Sequence, residues 1–148
     1  MKKSLTLVLI AAAIGLLMLS GCFPDNKVIY SGPLQVEFNP VSDTQRMSNG
    51  TSYEAKIQLI GPHQDTDIVV TFEIDTENST AVLGEQFELG AFTTVIPANS
   101  SFGFIRIDAI PENVTSDRPV LVLRLLGDTT GEVMVARNYS EFELTLRP

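Results

Sequence analysis

Tyr53-Glu54-Ala55-Lys56-Ile57-Gln58-Leu59 alternates apolar with polar residues at every step. Successive side chains of a strand point to opposite faces, whereas those of a helix return every 3.6 residues, so a strict period of two describes one half-buried strand. The same alternation recurs on both sides. Leu34, Val36 and Phe38 interleave with Gln35 and Glu37, and Ile68, Val70, Phe72 and Ile74 interleave with Val69, Thr71 and Glu73. Further strands are predicted over Phe92 to Ile96, Ser101 to Ala109, Val120 to Leu126, Val133 to Ala136 and Tyr139 to Leu146. Between them lie turn-forming clusters: Ser48-Asn49-Gly50, Gly61-Pro62, Pro97-Ala98-Asn99, Pro111-Glu112-Asn113 and Gly127-Asp128. Past Pro33 no long helical stripe appears, so seven or eight short strands predict an all-β domain, an antiparallel sandwich over residues 34–148.

The strand spacing suits a sandwich of immunoglobulin-like type. Two strands depart from simple alternation. In Val120 to Leu126, Leu121, Leu123 and Leu125 form one face while Val122 and Leu126 flank Arg124 on the other. Either this strand is central and covered on both sides, or its outer face meets a partner protein. In Ser101 to Ala109, Ile105, Ile107 and Ala109 share a parity with Gly103, which leaves Phe102, Phe104, Arg106 and Asp108 outside. A bulge at Gly103 would instead return Phe102 to the core.

Upstream of the strands the chemistry changes. Lys2 and Lys3 precede an apolar run from Leu5 to Leu19, which ends in Leu19-Ser20-Gly21-Cys22. The uncharged stretch from Ser4 to Pro24 is long enough to cross a bilayer, but basic residues before a short apolar run and small residues at its end match a processed signal. The segment resembles a bacterial lipoprotein signal peptide with its lipobox. That resemblance implies cleavage after residue 21, lipidation of the Cys22 thiol and acylation of its new amino group. Stable anchoring takes at least two acyl chains, a requirement such a terminus meets. Residues 22–33, with Pro24, Asp25, Asn26, Ser31, Gly32 and Pro33, read as a lipidated tether. In the lipoprotein family an aspartate after the cysteine favours inner-membrane retention. Phe23 stands there instead, so outer-membrane delivery is expected, on either the periplasmic or the cell-surface face.

Cleavage would leave 127 residues with eight basic and eighteen acidic side chains, net −10, and no cysteine for an internal disulfide. Packing alone must then stabilise the domain. An acidic chain lacks the basic footprint that nucleic acid requires. No cofactor motif appears either: there is no Gly-x-Ser-x-Gly elbow, no histidine pair and no phosphate-cradling glycine loop. His63 is the sole histidine, in the turn Gly61-Pro62-His63-Gln64-Asp65. No residue is assigned a catalytic role, and the chain is read as a non-enzyme.

A second resemblance rests on Ser79-Thr80-Ala81, Gly84-Glu85-Gln86-Phe87 and Ile96-Pro97-Ala98-Asn99-Ser100-Ser101 ahead of an Ile-x-Ile strand. Together these resemble a Calx-beta domain and, more narrowly, small β-sandwich lipoproteins of Bacteroidetes. The likeness covers about Leu34 to Leu146. Such domains often bind calcium through acidic loops, but this chain has Gln86 where the family has aspartate in Gly-x-Asp-Tyr/Phe, and Asp108-Ala109-Ile110 where it has a run of aspartates. Calcium needs six to eight converging oxygens, and these departures remove charge, so no metal ligands are assigned. A calcium-dependent adhesion module through Asp65 and Asp67, or through Asp108, Glu112 and Asp117, stands as a third reading.

The expected role is that of a lipid-anchored binding or structural accessory module whose partner is an envelope protein or a glycan. Sugar platforms stack on exposed aromatic rings flanked by polar groups, and Phe102, Phe104 and Arg106 are the candidate ligand-binding residues. Asn-x-Ser/Thr occurs at Asn49, Asn78, Asn99, Asn113 and Asn138, and beside a bacterial lipobox these read as turn composition. Asp128-Thr129-Thr130 resembles a Bacteroidetes O-glycosylation sequon.

Overall fold

A computed structural model describes residues 30–148, so the predicted signal, Cys22 and the first part of the tether lie outside the described residues. Ten strands follow: β1 (Gln35–Phe38), β2 (Ser42–Arg46), β3 (Ser52–Ile60), β4 (Ile68–Ile74), β5 (Phe87–Leu89), β6 (Thr93–Ile96), β7 (Phe102–Ala109), β8 (Val120–Asp128), β9 (Met134–Val135) and β10 (Glu141–Arg147). Two 3-10 turns, Met47–Asn49 and Pro111–Asn113, are the only helical pieces among the described residues. The first sheet runs β5-β7-β3-β1-β9 and the second β2-β10-β8-β4-β6. Pairing is antiparallel except at two margins, where β9 lies parallel to β1 and β2 parallel to β10. The predicted all-β, immunoglobulin-like sandwich is the observed architecture.

The alternation read from sequence places the core. Ala55, Ile57 and Leu59 on β3, Ile105, Ile107 and Ala109 on β7, Val70 and Phe72 on β4, and Leu121, Leu123 and Leu125 on β8 all point between the sheets. Phe142 joins the two layers, its ring 5.4 Å from that of Phe38 and 5.8 Å from that of Tyr53, with which it stacks. The Tyr53 hydroxyl reaches past this cluster to donate to Asp43 Oδ2 at 2.7 Å, tying β3 of one sheet to β2 of the other. Burial first, then the hydrogen bond and charge of Asp43, hold the phenol well above its ordinary pKa. Among the described residues every buried side-chain nitrogen and oxygen has a hydrogen-bond partner.

Two strands carry no signal in the sequence. β2 is Ser-Asp-Thr-Gln-Arg, polar throughout because it is a sheet margin with solvent on both sides, and charged or polar residues there blunt edge-to-edge association. β5 has three residues, paired with the end of β7 and led in by the turn at Gly84, where φ is +79°.

Candidate functional site on the outer face of the first sheet

β7 pairs with β3 in one unbroken register, from Ser52 opposite Asp108 to Gln58 opposite Phe102. The bulge considered at Gly103 is therefore absent. Gly103 keeps its inward parity because β6 crosses close to β7 at this point: a β-carbon at residue 103 would sit 2.8 Å from the Val95 carbonyl oxygen. The Thr94 hydroxyl donates to the Phe104 carbonyl at 2.7 Å along the same margin. Phe102 and Phe104 are consequently left outside, 42% and 49% exposed.

Their surroundings are polar and ordered by the register. Lys56 lies directly opposite Phe104, and its ammonium stands 5.2 Å from the centroid of the diagonal Phe102 ring, within cation–π range. Gln58 lies opposite Phe102 and accepts from Asn39 Nδ2 at 3.0 Å. Arg106 Nε donates to both Asp108 oxygens at 3.0 and 2.9 Å, and its Nη2 donates to Ser52 Oγ at 3.1 Å. The Arg106 hydrogen bond and then that from Ser52 hold the Asp108 carboxyl below the ordinary carboxylate value, and the same contact raises the Arg106 guanidinium. The result is an open strip: two apolar rings, an ammonium and an amide at one end, and a fixed ion pair at the other. The three candidate residues Phe102, Phe104 and Arg106 share this face. Sequence reasoning missed Lys56 and Gln58, whose approach depends on which residues of β3 and β7 stand opposite one another.

The other candidates fare differently. The real bulge lies on β8, where the register with β4 shifts between Thr71 and Phe72 and leaves Leu126 unpaired beside Gly127, at φ +91°. Leu126 is turned outward and 53% exposed, whereas Val122 is only 8% exposed, at the floor of a shallow hollow lined by Val41, Asn78 and Glu143. Its strand is central, between β10 and β4, and Val122 is buried among its own neighbours while the outer face at Leu126 is open. Arg124 beside it is held by Glu141, Glu73 and Asp75. His63 shares a 2.7 Å hydrogen bond with the Ser101 hydroxyl.

Among the described residues no three histidine, cysteine or acidic side chains converge as metal ligands. Asp108 is engaged by Arg106 and Ser52, Asp67 accepts from the Ala98 N–H at 2.8 Å, and Asp128 caps its own loop through the N–H groups of Gly131 and Val133. Each of these carboxylates already serves a local turn or ion pair.

The architecture matches known structures. The apo-form Calx CBD1 domain superposes with a TM-score of 0.63 at 20% identity, over 78% of this chain and 97% of that one. The fold is Calx-beta-like. The calcium binding domain CBD12 of CALX1.1 gives a TM-score of 0.62 at 20% identity, over 76% of this chain and 44% of that chain. An inferred carbohydrate-binding protein from Bacteroides ovatus ATCC 8483 gives 0.57 at 9% identity, over 76% of this chain and 36% of that chain. This chain thus spans less than half the length of the latter two. No protein-family model matches the sequence, and no curated protein does. At these identities the likeness concerns the fold.

Proposed function

We propose that this chain is a lipid-anchored, non-enzymatic binding module of a bacterial outer membrane, and that it takes a carbohydrate on the outer face of β3 and β7. The observation that carries this reading is the outward pair Phe102 and Phe104, flanked by Lys56, Gln58 and the Arg106–Asp108 ion pair. Two half-exposed phenyl rings on the outer face of the sheet leave apolar area in water that a sugar's C–H face would cover, while hydroxyls at the sugar's edge reach the polar neighbours. The fold shared with an inferred carbohydrate-binding protein supports the ligand class. The sequence from Lys2 to Cys22 supports the anchor.

Affinity electrophoresis of the full chain through gels containing neutral polysaccharides tests the ligand. Retardation is expected for the wild type and is expected to be lost in Phe102→Ala and Phe104→Ala proteins that keep their thermal melt. Retardation unchanged by both substitutions would remove the platform. The anchor is tested by palmitate labelling. The wild type should take the label and sediment with membranes, and a Cys22→Ala protein that did both would refute lipidation.

A further inference from the structure

Arg46, Arg118 and Arg147 meet at one end of the second sheet. Arg46 and Arg147 are the last residues of β2 and β10 and stand side by side in the register of that parallel pair. Arg118 is delivered by the turn ahead of β8, where the Pro119 carbonyl accepts from the Leu146 N–H at 2.9 Å, one residue before Arg147. Arg46 and Arg118 are exposed and Arg147 is half-buried.

This grouping runs against the rest of the molecule. The chain has eighteen acidic and ten basic residues, and Arg106 and Arg124 each hold carboxylates. None of the three clustered arginines pairs with a carboxylate among the described residues. Like charges on adjacent strands repel, and the charges of Arg118 and then Arg46 depress the Arg147 guanidinium from its ordinary value. Arg118 also holds φ at +55°, a left-handed conformation that glycine or asparagine would adopt more readily. Three cations thus share one end without an ion-pair partner among the described residues, one of them on a left-handed backbone.

Guanidinium groups present a planar fork of donors that matches oxyanions such as sulfate and phosphate. Here the forks lie on an open surface, so they suit several oxyanions carried on one polymer better than a single enclosed ion. Position restricts the polymer. Tyr30 lies at the Gly61 end of β3, with its ring 3.7 Å from a β-carbon placed at Gly61. Arg46 lies beyond the Ser52 end, about 25–30 Å away at ~3.3 Å per strand residue. The arginines therefore face away from the side on which the chain enters the domain. Duplex DNA, with one charge per roughly 1.7 Å of axis, would be repelled by the acidic remainder. A chain whose charges are spaced by sugar rings would suffer less repulsion.

We propose that Arg46, Arg118 and Arg147 form a second binding site, for the sulfate or phosphate groups of an anionic polysaccharide. The proposal rests on the carbohydrate reading for its ligand class alone, and it uses a different surface.

Titration calorimetry of the full chain in a non-ionic detergent, with dextran sulfate as the probe, tests it. Wild-type protein should bind, with affinity falling as salt is raised. The double variant Arg118→Gln/Arg147→Gln should bind at least tenfold more weakly, whereas Arg137→Gln, which removes one exposed charge elsewhere, should stay within twofold. Removing like charges should leave the thermal melt unchanged or raised, so loss of binding will not reflect unfolding. Absence of dextran sulfate binding by the wild type, or equal binding by the double variant, would overturn the site. Tighter binding of duplex DNA, or arginine-dependent binding to phosphatidylglycerol vesicles, would overturn the assigned ligand. Neutral polysaccharides run in parallel report on the aromatic face, so failure of one site is distinguishable from failure of the other.

Discussion

The carbonyl oxygen of Val95 lies 2.8 Å from the position a β-carbon on Gly103 would take, so the margin where β6 meets β7 closes only over a glycine. Ile57 and Ile96 crowd the same point, each with a side-chain carbon at 3.1 Å. Because residue 103 must point inward here, its neighbours Phe102 and Phe104 must point outward.

Gly103→Ala should therefore destabilise the domain by about 1–3 kcal/mol, the usual cost of overpacking a well-filled interior. Urea unfolding is the check. A midpoint equal to wild type would mean that β6 can move away from β7 without loss.

The two phenylalanines of the candidate face should behave unlike those of the core. Phe142→Ala should cost about 3–5 kcal/mol, as a ring between two sheets normally does. Phe104→Ser should shift stability by less than about 1 kcal/mol, since half of the ring is already in water. Equal losses in a thermal-melt comparison would show that Phe104 supports the fold rather than a ligand.

Asp75 gives stability a dependence on acid. It is 4% exposed, accepts from the Asn78 side chain at 2.8 Å and from the N–H groups of Glu77 and Asn78, and receives Arg124 Nη2. These bonds, that from the Asn78 side chain first, outweigh burial and lower its carboxyl pKa below the ordinary 3.8. A depressed carboxyl contributes stability in full above its unfolded value and loses it as pH falls through its folded value. Asp75→Asn should thus melt below the wild type at neutral pH, and the gap should narrow once pH drops under 3.8. A gap that stays constant with pH would exclude this carboxylate as the source.

Tyr53 works in the opposite direction. Its folded phenol keeps its proton beyond the ordinary value of 10, through burial and then Asp43. The associated stability is present below pH 10 and is lost as alkali deprotonates the unfolded chain. Tyr53→Phe should cost about 0.5–1.5 kcal/mol at neutral pH, the net worth of one hydrogen bond. Among the tyrosines followed by ultraviolet absorbance, one should resist ionisation until the protein unfolds, and that one should be missing from the variant.

Most of the sandwich was legible because burial on one face of a sheet imposes a period of two. β3, β4 and β10 show that period over seven or more residues, and β7 and β8 show it in their inward rows, Ile105, Ile107 and Ala109 and Leu121, Leu123 and Leu125. β2 was not legible, since a margin wet on both sides has no reason to alternate, and β5 is too short to show a pattern. The bulge offered as an alternative at Gly103 does not form, and one occurs on β8 instead. Gly103 lies within a predicted strand and Gly127 in a predicted turn, yet both belong to strands, and local sequence does not distinguish a glycine that admits a neighbouring strand from one that follows an unpaired residue.

The amino-acid sequence by itself determined the all-β class, the inward rows of the core, and the acidic balance that disfavours nucleic acid. These follow from local periodicity and composition, which need no knowledge of what lies opposite. Tertiary structure alone decided that Phe102 and Phe104 face water beside Lys56, that Val122 is covered while Leu126 is open, and that Arg46, Arg118 and Arg147 share one end. Each depends on strand register or on contact between sheets, which bring together residues far apart in the chain.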